Sequence, residues 1–152
     1  MEEINDIAGV AMNYFESLFT STGCDQMEEC LSIVSHRVAP DMIEILSREY
    51  SAEEIKATLF QMGPTKALGP DGMNALFYQK FWHIVGNDVI TAMLDFLNTG
   101  NMRSKINFTH IVLIPKVKSP KRMFDYKPIS LCNVIYKVIS KVLANRLKII
   151  LP

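Results

Sequence analysis

Cysteine is scarce in this chain of 152 residues: three are present, Cys24, Cys30 and Cys132, an odd number with no Cys-x-x-Cys pair. That argues against a disulfide framework and against a zinc knuckle, and reads as reduced, buried thiols. Cys24, Cys30 and His36 are evenly spaced, but the spacing matches no usual metal-site pattern. Long apolar runs are also missing, since none approaches the roughly 20 residues of a membrane span. Met1 is followed by Glu2 and Glu3, where a secretory signal needs a positive leader and an apolar core. An intracellular location is therefore expected, with nucleus and cytoplasm undecided, and no membrane partner. Finally, there is no Asp-Asp pair, and the acidic residues of the C-terminal half, Asp71, Asp88, Asp95 and Asp125, stand singly in different segments. Two-metal phosphoryl transfer needs clustered carboxylates around both ions, so no such centre is expected here.

What is present is ordinary globular material, 49% hydrophobic and 21% charged, enough for one core. The zero net charge hides a split. Residues 1–63 hold three Lys/Arg against twelve Asp/Glu, residues 64–152 hold thirteen against four, and the two parts carry −9 and +9. From residue 101 onward eleven basic residues face a single acidic one, Asp125. Such a segment attracts a phosphate backbone, although a solvated basic helix face without a partner has the same composition.

The apolar pattern predicts a mostly helical α+β fold. Ile4, Ile7, Val10, Ala11, Tyr14, Leu18 and Phe19 share one face of an opening helix that ends near Thr20. A second helix is predicted over 25–35, and Pro40 suits the first turn of a third. Ser51 with Glu54 three residues on is a capping-box signature for a helix running to Met62. Gly63 and Pro64 stop it, and a loop follows in which Pro70, Asp71 and Gly72 suit a tight turn. A helix is predicted from Asn74 to Val85 with Phe77, Phe81 and Trp82 inward, ended by Gly86. Asn87 then caps another that runs to Gly100. Ile111 to Ile114 and Ile129 to Leu131 read as the arms of a hairpin across a basic loop. The last helix, 133–150, is expected to bury Ile135, Val138, Ile139, Val142, Leu143, Leu147 and Ile150, with Lys137, Lys141 and Lys148 on its other side.

Within this pattern lie ordered motifs: YFESLFTS from Tyr14, EEIKATLFQM from Glu53, KALGPDG from Lys66, FYQKFW from Phe77, then IPK, DYKPISL and ANRLK between Ile114 and Lys148. In that order they resemble the N-terminal and fingers segment of non-LTR (LINE-type) retrotransposon reverse transcriptases, especially those of plants. The resemblance covers nearly the whole chain. It implies a part of an RNA-directed DNA polymerase in which residues 1–63 form an acidic helical N-terminal extension. Residues 64–152 then form a basic partial reverse transcriptase domain, with the small hairpin and long helix of the fingers and without the palm. The family's catalytic aspartates, in AYD-like and FADD-like blocks, do not occur here, so no catalytic residue is assigned. Mg²⁺ is expected only in a complete polymerase.

The resemblance also implies partners and sites: RNA template, RNA–DNA hybrid and an incoming dNTP. Lys116 and Lys127 occupy positions that contact the triphosphate, and an ammonium on a closing hairpin is physically suited to that. Position 127 is usually Arg in the family, and Lys keeps the charge but loses the two-pronged fork. KALGPDG resembles the family's KAPGPDG with Leu68 in place of Pro. Its glycines and Lys66 suit phosphate contact, and a purely structural turn fits equally. Lys118, Lys121 and Arg122 on the hairpin loop are the candidates for sequence-independent backbone contact, while Asn145 and Arg146 of ANRLK fit a structural role better. Two alternatives stay open: a non-catalytic RNA- or DNA-binding module, and an inert, truncated element remnant. For the remnant, self-association through the apolar residues of the last helix is expected.

Overall fold

In a computed structural model the described residues are 2–21, 23, 27–33 and 39–151. The fold is α+β and mostly helical. In chain order the elements are α1 (Glu2–Phe19), α2 (Met27–Ile33), α3 (Pro40–Ser47), α4 (Ala52–Phe60), α5 (Ala75–Lys80), α6 (Trp82–Thr99) and α7 (Ser104–Asn107). A two-stranded antiparallel hairpin follows, β1 (Thr109–Pro115) and β2 (Tyr126–Cys132), and then α8 (Val134–Ile150). Contacts divide the chain into two compact units, Met1–Arg37 with Leu113–Pro128, and Val38–Val112 with Ile129–Pro152. The charge boundary at residue 63 falls inside the second unit.

Several helix ends follow from local chemistry. Pro40 opens α3, the Ser51 hydroxyl accepts the Glu54 amide at 3.2 Å to start α4, and the Asn74 side chain accepts the Phe77 amide at 3.0 Å to start α5. Gly100, at φ 76°, closes α6 in the left-handed conformation that a side chain resists. The predicted break at Gly86 and Asn87 is absent, because α6 runs through both. Gly86 is buried, and a Cβ there would meet the Trp82 indole at 2.9 Å. The glycine serves close packing of Trp82 one turn earlier rather than a helix stop. The break comes instead at Phe81, which is exposed rather than inward.

The core of the second unit joins Ile55 and Leu59 of α4, Ala75 and Tyr78 of α5, Val89 and Met93 of α6, and Val134, Val138, Ile139 and Val142 of α8. Leu143 and Leu147, expected in the core, are exposed. The inward side of α8 passes through residues 134, 138, 142 and 146, so Arg146 takes the place that Leu147 was predicted to hold. Cys132 is a free, half-buried thiol beside the Thr109 hydroxyl. The other two cysteine side chains and His36 lie outside the described residues, as do the predicted ends of the 25–35 helix.

Among the described residues of the first unit only Phe15 of α1 is buried, and Ile7, Val10, Leu18 and Phe19 are exposed, contrary to the predicted inward face. Met27 and Leu31 of α2, and Val117 and Phe124 of the hairpin loop, are exposed as well. Asp6, Ile7 and Val10 share an open cleft of about 240 Å³ with Met123 of that loop.

Candidate nucleic-acid interface

The hairpin loop is organised by its single carboxylate. The Lys116 amide donates to the Asp125 carbonyl at 2.8 Å and closes the loop where the strands end. Asp125 Oδ2 then accepts the Lys121 and Arg122 amides, each at 3.0 Å, while Oδ1 lies 3.9 Å from the Arg122 guanidinium. Those two amides, aided by the charges of Arg122 and Lys116, hold the Asp125 carboxyl below the usual carboxylate range. The one negative charge of the loop is thus engaged by its own backbone.

Lys116 is exposed but not idle: its Nζ donates to the Phe124 carbonyl at 2.9 Å and lies 4.7 Å from the centre of the Phe124 ring. Lys118, Lys121 and Arg122 are exposed on the loop, and Lys127 is exposed on the second residue of β2. Five of the six sequence-predicted site residues therefore share residues 113–128 of the first unit. Lys66 belongs to the second.

The loop carrying Lys66 is held down by other residues. Its turn closes through Gly72 N–H to the Gly69 carbonyl at 3.0 Å, as Pro70, Asp71 and Gly72 predict, and Asp71 Oδ1 accepts the Met73 amide at 3.1 Å. At Gly69 a Cβ would sit 2.6 Å from Asn133 Cα, so glycine is required for the loop to touch the start of α8. Asn133, itself buried, accepts the Asp71 amide at 3.4 Å and donates to the Lys105 carbonyl at 3.2 Å. Lys137 Nζ donates to the Ala67 carbonyl at 2.7 Å. Lys66 itself is exposed and lies along Gly63. Gly69 thus serves a backbone contact within the protein and Gly72, at φ 70°, serves the turn, while Lys66, Ala67, Leu68 and Asp71 are exposed to solvent.

Arg146 has a structural role, as its motif position suggested. Its guanidinium grips both oxygens of Glu54 at 2.8 Å, and its remaining hydrogens go to the carbonyls of Leu46, Arg48 and Glu49. The Tyr50 ring stacks 3.6 Å from it. Asn145 joins the Thr58 hydroxyl and the Gln61 amide. Sequence reasoning missed Phe124 and Asn133. The first was signalled by an aromatic residue set among cations, MFD after KSPKR. The second had no local signal, because its partners are 62 and 28 residues away.

Among the described residues no three His, Cys, Asp or Glu side chains converge. Asp88 and Asp95 line an open groove of about 470 Å³ on α6, beside Thr91 and Arg103. Two carboxylates beside a guanidinium do not fit a two-metal centre. No helix among the described residues is long and apolar enough to cross a membrane.

No family model matches the chain. It is similar to a transposon-encoded protein. That relative is the Transposon TX1 uncharacterized 149 kDa protein of Xenopus laevis, 25% identical over 156 residues, an alignment covering 99% of this chain. The chain spans 12% of the relative's length.

Proposed function

We propose that this chain is the fingers part of a LINE-type retrotransposon reverse transcriptase, contacting template and incoming nucleotide without carrying the catalytic aspartates. The observation that supports this reading best is the hairpin. The segment bearing IPK and DYKPISL forms one antiparallel pair whose loop directs cations to solvent while its only carboxylate is occupied internally. Similarity to a transposon protein along 99% of the chain agrees with it. Lys118, Lys121 and Arg122 hold the backbone of an RNA template or RNA–DNA hybrid, with Lys66 on its own loop. Lys116 and Lys127 receive the dNTP triphosphate. For Lys116 this means exchanging the Phe124 carbonyl, a neutral acceptor, for a charged phosphate oxygen.

The test is fluorescence anisotropy with a labelled RNA–DNA hybrid over a salt series, beside a variant with Lys116, Lys121, Arg122 and Lys127 changed to Ala. Affinity is expected to fall with salt, and the variant to bind more weakly, with a log–log salt slope shallower by about 2 for the loss of Lys121 and Arg122. Equal binding by both proteins would reject the hairpin as the contact.

A further inference from the structure

We propose that Phe124 is a base-stacking platform for single-stranded nucleic acid at the hairpin loop. The inference rests on the reading of this hairpin as a nucleic-acid contact and adds a residue that charge alone does not indicate. A phenylalanine is ordinarily kept from water, yet Phe124 is 65% exposed. Its neighbour Met123 turns the other way, half-buried in the cleft beside α1. One face of the Phe124 ring is backed by the Lys116 ammonium, whose bond to the Phe124 carbonyl fixes that arrangement from the main chain. At 65% exposure of the residue, ring surface remains open to a ligand.

The surroundings decide what fits that surface. Lys118, Lys121, Arg122 and Lys127 lie within the same sixteen residues, Leu113–Pro128, and Asp125 is already committed to the Lys121 and Arg122 amides. A loop so charged repels basic peptides, and the large apolar residues it exposes, Val117 and Phe124, stand among its cations. It suits a chain that alternates phosphates with flat π-faces, which is the recognition mode of sequence-tolerant single-strand binders. In a duplex the bases are stacked on one another and unavailable, so the platform selects unpaired nucleotides.

The experiment titrates the full chain, wild type, Phe124→Ala and Phe124→Trp, with a labelled oligouridylate and with an abasic oligomer of equal phosphate number. Wild type is expected to prefer the oligouridylate by about tenfold, the scale of one stacked base. Phe124→Ala should lose that preference while its abasic affinity and salt slope stay unchanged. Phe124→Trp should keep it and show quenching of the new indole on binding. A preference that survives in Phe124→Ala, or equal wild-type binding of both oligomers with a normal salt dependence, overturns the platform and leaves the backbone contact standing. Absence of binding to either oligomer at low salt rejects the nucleic-acid reading itself.

Discussion

At position 146 a guanidinium that is 3% exposed uses every hydrogen it carries, on a carboxylate and three carbonyls. Lysine has the charge but neither the fork nor enough donors. Arg146→Lys is expected to cost about 3 kcal/mol in urea unfolding, because it leaves buried acceptors without partners. A loss below about 0.5 kcal/mol, the size of an ordinary surface change, would show the network to be peripheral. The partner gives a pH signature. Hydrogen bonds from Arg146, then its charge, the Ser51 amide and Arg48, hold the Glu54 carboxyl below its ordinary value against the opposing effect of burial. A lowered folded-state value means that the stabilisation is complete above the free carboxyl's value of about 4.3. It fades as pH falls through the folded-state value. Glu54→Gln should therefore lower stability at neutral pH and narrow its gap to wild type below about pH 4, as read from urea midpoints across an acid series.

Among the elements, those whose signals are local were legible in the sequence. Ser51, Asn74, Pro40 and Gly100 each end or start a helix through groups within four residues, so spacing alone locates them. The α6 helix was not legible in this way. Glycine is a helix breaker by propensity, and only the Trp82 indole against Gly86 explains why it stays inside one. Trp82 is the sole tryptophan, which makes it a clean reporter. Gly86→Ala should displace the ring and shift its emission, and an unchanged spectrum would refute the packing role. The candidate site divides the same way. Its lysines are countable in the sequence, but the course of the Lys116 ammonium and the outward turn of Phe124 depend on how the loop closes on Asp125, which no spacing rule carries. The inward side of α8 likewise shifted toward Arg146 because polar partners 92 to 100 residues away receive it.

For the whole molecule, the chain offers cations for binding but no convergent carboxylates among its described residues. Given primer, RNA template, dNTPs and Mg²⁺, purified protein should extend nothing above a blank, and clean extension would overturn the assignment of binding without catalysis. The pairing of α4 with α8 carries a consequence for biosynthesis. Ile55 and Leu59 complete their contacts only with Val138 and Val142, and Glu54 waits for a partner 92 residues downstream. At about 5–20 residues per second, a ribosome takes roughly 5 to 18 s to travel that distance. Through that interval the apolar side of α4 has only α5 and α6 to pack on. Nascent chains stalled before α8 emerges should digest more readily than those stalled after it. The protein is thus made with a built-in delay, during which holdase chaperones compete with its own last helix for the same surface.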